Sequence, residues 1–336
     1  MAISAAEYSV YVIGQTTLPV QCCEILRERG HRVLGVISDD GTVADWARAR
    51  GVACHTADQP LMPLLTAQPY DLLLSIVNPL VLSEEVLATP RRMAINYHDA
   101  LLPAHAGVHA TSWALMNGDT EHGVTWHEMT RRIDAGRLLV QAPIRIARGE
   151  TVESLDRKCY AAAIDSFMQL LDGLEQGRIE VLPESARKRS YHGRTKRPPS
   201  GGLVPFDRGA EAAARFVAAL QFGRRFNPLS LPKLLHGGAL FLVGAVESLA
   251  SAPASPGEAA PGTLLAVDAL GLVVSTSDVP VRLTGLSTLD GAPLSGAGEL
   301  RARGFVEGVA LGRMEQGRAE RLEELSTRAA RHEPWW

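Results

Sequence analysis

Short apolar runs alternate with segments of helical spacing along the first half of the chain. Tyr8–Ile13 is an apolar run that stops at Gly14, and Leu18–Arg29 follows with a helix-like stripe. Arg32–Ile37 and Val43–Arg50 repeat the pair, a short strand is expected near Val52, and Leu61–Leu65 is again helix-like. Asp71–Val77 is another buried strand, and Met93–Asn96 ends a further apolar run. Strands alternating with helices predict a mostly parallel, Rossmann-like α/β sheet covered on both faces. Val152, Leu155, Cys159, Ile164, Phe167, Leu170, Leu171 and Leu174 then form one stripe of a long helix. Thr151 is its expected cap and Gln176 its expected end.

The pattern changes in the second half. Arg208–Leu220 reads as a helix. Ala239–Val246, Gly262–Val267, Gly271–Thr276 and Val279–Leu283 read as short strands between turn residues. That spacing predicts a small, OB-like β-barrel. Ser251–Pro261 reads as a loose loop and Glu315–Arg331 as a charged helix. The terminal Pro334-Trp335-Trp336 reads as a packing anchor or as the start of a further domain. The expected division is a catalytic domain over 1–182, a linker over 183–202, a barrel-like domain over 203–300 and a helical tail over 301–336.

Composition narrows the class. The chain has 336 residues, 46% hydrophobic and 21% charged, with a net charge of −3. This fits a globular protein and gives no electrostatic sign of a nucleic-acid partner. No apolar run reaches membrane-spanning length, and the N-terminus lacks a signal-type core. Cys22, Cys23, Cys54 and Cys159 have no zinc-ligand spacing, so a reduced, cytoplasmic protein is expected. After the first strand there is only Gly14-Gln15-Thr16-Thr17, which is neither a dinucleotide fingerprint nor a P-loop.

Candidate chemistry lies at the end of the Met93–Asn96 strand. Asn96 and His98 are two residues apart, so a strand puts both side chains on one side of the chain. One offers a neutral N–H and the other an N–H that can carry charge, a pairing suited to a developing oxyanion. Asp134 follows a second strand-like run, Gly123–Met129, and a carboxylate beside an imidazole orients and charges it. In isolation, Asn-x-His also describes a strand end with a satisfied histidine. His105, His122 and His127 near the motifs read as local hydrogen-bonding residues, and no metal site is expected.

Asn96-x-His98, Leu101-Leu102-Pro103, Gly107, Gly123-Val124-Thr125 and Ile133-Asp134-x-Gly136 occur in that order. The set resembles the folate-dependent formyltransferase family over roughly residues 8 to 290. The resemblance implies catalytic roles for Asn96, His98 and Asp134, and 10-formyltetrahydrofolate as co-substrate. It places the pterin against Ser75, Ile76, Val77, Asn78, Pro79 and Leu80, together with Arg132 and Ile133 before Asp134. The tRNA-acting members carry a basic insertion after the second strand, whereas Ser38-Asp39-Asp40-Gly41-Thr42 is short and acidic here.

Tyr97–Ala114, Val124–His127 and Lys158-Cys159-Tyr160 look most like the formylation domains that open nonribosomal peptide synthetases. The implied acceptor is an aminoacyl group on a carrier protein, with no nucleic acid and no membrane involved. A free amine, such as an ornithine-type siderophore precursor or an amino sugar, is the alternative acceptor. A 10-formyltetrahydrofolate hydrolase and a non-catalytic folate-binding scaffold are the alternative functions. The basic stretch Arg187, Lys188, Arg189, Arg194, Lys196 and Arg197 is either a solvated linker or a rim for an anionic, phosphate-bearing carrier.

Overall fold

A computed structural model of the protein describes residues 7–183, 186–249 and 259–330. The calls on the N-terminal start and on Pro334-Trp335-Trp336 fall outside these residues, as does most of Ser251–Pro261. The first half follows the order β1 (Ser9–Gly14), α1 (Leu18–Glu28), β2 (Arg32–Ile37), α2 (Gly41–Arg50), β3 (Ala53–His55), α3 (Leu61–Thr66), β4 (Leu72–Ile76), α4 (Glu84–Leu87) and β5 (Met93–His98). Next come β6 (Ala106–Gly107), α5 (Ala110–Asn117), β7 (Glu121–Glu128), β8 (Leu138–Arg145), α6 (Val152–Glu175) and β9 (Tyr191–His192). One seven-stranded sheet has the order β3-β2-β1-β4-β5-β7-β8. The first five strands are parallel, and β7 and β8 add antiparallel pairs. The strand order reverses between β1 and β4, and such sheets bind ligands at the carboxyl ends around that point.

Alternation assigns each face. Val10 and Val12 of β1 and Ile95 and Tyr97 of β5 pack with α1 and α6, joined by Cys22, Leu26, Phe167 and Leu170. Tyr11, Ile13, Leu73 and Ala94 face the other way, toward Leu65 and Val86 of α3 and α4. Asn96 and His98 continue the Ala94 side of β5, at the sheet's carboxyl edge. The long helix starts where expected: Thr151 and Ser154 form a capping box, and Gln176 is the C-cap.

The second half comprises α7 (Ala210–Ala218), β10 (Lys233–His236), β11 (Ala239–Leu242), β12 (Ala245–Ser248), β13 (Leu264–Asp268), β14 (Gly271–Val274), β15 (Val281–Thr284), β16 (Ser287–Thr288), α8 (Gly296–Ala302) and α9 (Gln316–Ala330). Two small antiparallel sheets, β10-β11-β16 and β12-β15-β14-β13, share one core that includes Leu234, Phe241, Leu272, Leu283 and Phe305. This is the barrel-like domain expected from the turn spacing. The single strand expected over Ala239–Val246 is two strands in different sheets. Gly244 and Gly285 cross there so closely that a side chain at Gly244 would lie 3.0 Å from the Gly285 backbone. The helix expected from Arg208 begins at Ala210, whose N–H donates to Asp278 Oδ1 at 2.8 Å.

Candidate active site

Strand pairing brings the site together. Asn96 sits beside Ser75 on β4 and opposite His127 on β7, while His98 lies opposite Thr125. Ser75 Oγ donates to Asn96 Oδ1 at 2.7 Å, which fixes the amide so that Nδ2 is the donor end. That Nδ2 donates to the Tyr97 carbonyl at 2.9 Å and lies 3.2 Å from His127 Nε2. His127 Nδ1 donates to the Glu128 carbonyl at 2.9 Å, so the neutral ring accepts from Asn96 through Nε2. The charged ring would instead donate from Nε2 to Asp134 Oδ1, which is 3.4 Å away. His127 therefore decides whether the second Asn96 N–H is occupied or free.

His98 Nε2 donates to the His105 carbonyl at 2.9 Å. Its Nδ1 is left facing Asp134 Oδ2 at 3.7 Å and Asp99 Oδ1 at 3.9 Å. These are ion-pair separations, too long for hydrogen bonds. Asp134 is 92% buried by side chain, so its charge needs compensation. Burial alone would push its carboxyl up. The His98 ring, the nearby His127 ring and the Gly107 N–H outweigh that and hold it at about 2. Gly107 N–H donates to Asp134 Oδ2 at 2.8 Å.

A free Asp titrates near pH ~3.9. The charged Asp134 therefore stabilises the fold above that pH, and the contribution disappears as pH falls toward 2. Asp134→Asn is expected to lose less stability than wild type between pH 5 and pH 2. Urea midpoints at both pH values check this, and equal losses would place the Asp134 charge outside this network.

Two motif glycines have physical reasons. A Cβ at Gly136 would lie 1.8 Å from the Glu128 carbonyl oxygen, so only glycine lets the Asp134 loop turn back against β7. Gly107 has φ +100°, and its Cβ would lie 2.1 Å from the His192 carbonyl oxygen. Val77, His105, His109 and Asp134 also have positive φ, at 52°, 53°, 58° and 48°. For a β-branched residue such as Val77 this is a strained conformation, and strain of this kind gathers at functional sites.

The segments expected to hold the pterin reach the site unequally. Ser75 is buried and spent on Asn96, and Asn78 Nδ2 donates to Ser75 Oγ at 3.2 Å. The Ile76 side chain belongs to the core and leaves only its main chain available. Val77, Leu80 and Ile133 are apolar yet 40%, 36% and 39% exposed. Asn78, Pro79 and Leu80 line a pocket of about 130 Å³ at the carboxyl ends of β1 and β2. Arg132 is exposed, and its carbonyl accepts from Thr130 Oγ1 at 3.0 Å.

Residues that sequence reasoning did not place in the site hold its loops. Arg189 donates from Nη1 to the Asp134 carbonyl at 2.8 Å and from Nη2 to the Ile133 carbonyl at 2.9 Å. Ser190 Oγ accepts from His105 N–H at 2.8 Å, and β9 pairs with β6. So Arg189, read from the sequence as part of either a solvated linker or a basic rim, is a loop anchor. Arg187 pairs with Glu121. Arg189→Ala is expected to lower kcat by about one to two orders of magnitude, the scale of losing charge-assisted hydrogen bonds. Added guanidinium should restore part of it. An effect confined to the salt dependence of acceptor KM would return Arg189 to the rim.

Among the described residues, no group of three or more His, Cys, Asp or Glu is placed to hold a metal ion. No helix there is long and apolar enough to cross a membrane.

Comparison with known proteins places this α/β sheet, with an amide, an imidazole and a buried carboxylate at its carboxyl edge, in a family. Residues 53–171 match the family model described as formyl transferase. The chain is 32% identical over 253 residues to methionyl-tRNA formyltransferase of Burkholderia mallei (strain ATCC 23344), covering 74% of this chain and 71% of that one. The fold resembles WlaRD, a sugar 3N-formyl transferase solved with dTDP and 5-N-formyl-THF, at a TM-score of 0.65 and 14% identity. That match covers 83% of this chain and 98% of that one. It also resembles the N-formyltransferase from Helicobacter canadensis, in complex with folinic acid and dTDP-3-aminofucose. Here the TM-score is 0.64 and the identity 13%, over 82% and 98% of the two chains. This chain belongs to the formyl transferase family.

Proposed function

We propose that the protein transfers the formyl group of 10-formyltetrahydrofolate to a primary amine, and that the amine belongs to an aminoacyl group on a peptidyl carrier protein. The observation that carries the transfer reading is the convergence of Asn96, His98 and the ionised Asp134 at one sheet edge. The exposed apolar set Val77, Leu80 and Ile133 suits a flat, partly apolar ring beside that centre. Tetrahydrofolate derivatives named for the structural neighbours support the same co-substrate.

In the proposed reaction the acceptor nitrogen forms a bond to the formyl carbon. The bond from that carbon to N10 breaks, and one proton passes from the acceptor nitrogen to N10. Asn96 Nδ2 and the His98 imidazolium donate to the formyl oxygen as it gains charge. Each such donor typically contributes about 2.7–4 kcal/mol. Asp134 faces the His98 ring at 3.7 Å, orients it and relays the amine proton, directly or through water. A carboxylate held at about 2 carries that proton only briefly, which suits a relay.

The carrier reading rests on the sequence resemblance to synthetase formylation domains and on the loop after β2. That loop is short, and Asp40 within it is spent capping α2 through the Thr42 and Val43 N–H groups. The identity to methionyl-tRNA formyltransferase favours a second reading, an aminoacyl-tRNA acceptor. Mass spectrometry of carrier-bound aminoacyl thioesters, aminoacyl-tRNA and free amines after incubation with 10-formyltetrahydrofolate separates the readings. A formylated carrier thioester supports the proposal. Formylation of the tRNA alone selects the second reading, and formate release without a formylated amine selects hydrolysis.

A further inference from the structure

A second concave site lies on the seam between the two halves of the molecule. It is a cleft of about 360 Å³ whose walls include Trp113 and Met116 of α5 and Phe216 of α7. Lys196, Arg197 and Arg208 also line it, and among the described residues that line it none is acidic. Trp113 and Phe216 belong to the small core that joins α5 to α7, so the floor is built from packed elements.

The Lys196 charge is held in place. Its Nζ lies 4.5 Å from the centre of the Trp113 ring and 3.0 Å from His192 Nδ1. An ammonium only donates, so His192 Nδ1 accepts. His192 Nε2 then donates to His105 Nδ1 at 3.1 Å, and His105 Nε2 donates to Asp119 Oδ2 at 2.6 Å. Burial and the Lys196 charge lower the His192 imidazole to about 4, so it stays neutral at neutral pH. Donors therefore run in one direction from the cleft to Asp119. The carboxylate that balances the ammonium is two rings away, which leaves the cleft itself positive. Arg208 is exposed, and its guanidinium has no hydrogen-bond or ion-pair partner among the described residues.

We propose that this cleft, with Lys196 and Arg208 as its cations and Trp113 and Phe216 as its apolar walls, is a binding subsite for the phosphate end of an elongated organic arm. Two rings and a methionine favour an arm with apolar or planar parts over a bare anion. Assigning the arm to the acceptor rests on the formyl-transfer reading. The phosphate chemistry does not. The cleft also borders the loops that serve the active site, because His105 presents its carbonyl to His98 and its ring to His192. An arm of this kind comes from the 4′-phosphopantetheine of a carrier protein or from a nucleoside diphosphate.

Calorimetric titration of the full chain, without folate, tests the subsite. The probes are 4′-phosphopantetheine, pantetheine lacking the phosphate, a nucleoside diphosphate and inorganic phosphate. At least one phosphorylated organic probe should bind at millimolar concentration or tighter. Pantetheine and inorganic phosphate should each bind at least about tenfold more weakly than the probe that binds, and rising salt should weaken that binding. Arg208→Glu and Lys196→Glu should each reduce it by about tenfold or more. Arg208→Glu, on an exposed side chain, should leave the melting temperature unchanged. Binding of phosphopantetheine alone selects the carrier arm, and binding of the nucleoside diphosphate alone selects a nucleotide arm. No binding by either, or binding unchanged in both variants, overturns the subsite. Because the titration involves no formyl transfer, its failure leaves the transfer reading standing, and failure of transfer leaves the titration interpretable.

Discussion

Asn96→Ala and His98→Ala are each expected to lower kcat by about 10²–10³-fold or more, the range seen when one oxyanion donor is removed, and Asp134→Asn by a similar factor, within the range for a positioned acid–base group. Tetrahydrofolate affinity should change little, because the apolar set at Val77, Leu80 and Ile133 is untouched. His98→Ala should have the largest effect, since it removes a donor and also leaves Asp134 buried without its principal counter-charge. Asn96→Ala should also release His127 and Ser75 from their hydrogen bonds. The double variant His98→Ala/Asp134→Asn should be little worse than His98→Ala, because residues that act as one unit are strongly non-additive. Steady-state kinetics with a competent amine checks all four. Turnover within a few-fold of wild type in any single variant removes that residue from the mechanism.

Gly107→Ala is expected to be nearly as damaging, although it removes no functional side chain. At φ +100° a Cβ is strained, and at 2.1 Å from the His192 carbonyl oxygen it forces β6 and β9 apart. The strain typically costs about 1–3 kcal/mol. The catalytic consequence follows from the neighbours. Gly107 N–H holds Asp134 Oδ2, and the same loop carries the His105 carbonyl that holds His98. Displacing it disturbs both proposed catalytic groups, His98 and Asp134, at once. We expect kcat to fall by about 10²-fold, since small misplacement of reacting groups carries penalties of that order. The melting temperature should fall while the far-UV circular dichroism spectrum of the folded protein stays unchanged. Wild-type turnover in Gly107→Ala would show that the β6–β9 pairing does not position the site.

The Asn96 and His98 pair was legible in the sequence because a strand has a period of two. Tyr97 between them packs into the core, and Asn96 and His98 take the opposite side. The α6 boundaries were legible because Thr151 and Ser154 make a local capping box. Apart from the approach of Asp134 to His98, which the motif set implied, contacts between residues distant in sequence were not legible. His127 meets Asn96 through the β5–β7 register, and β8 was not anticipated at all. Arg189 looked like one more cation in a basic stretch. Only the folded chain shows its guanidinium on two carbonyls of the Asp134 loop. The break at Gly244 depends in the same way on Gly285, 41 residues later in the sequence.

Transfer of an isotopically labelled formyl group from 10-formyltetrahydrofolate to an amine, followed by mass spectrometry in wild type and His98→Ala, tests the central claim most directly. The account predicts label on the amine nitrogen in wild type, and loss of at least about 99% of the initial rate in the variant, whose oxyanion donor is gone. Label that appears only as formate, or label on the amine at equal rates in the two proteins, would contradict it.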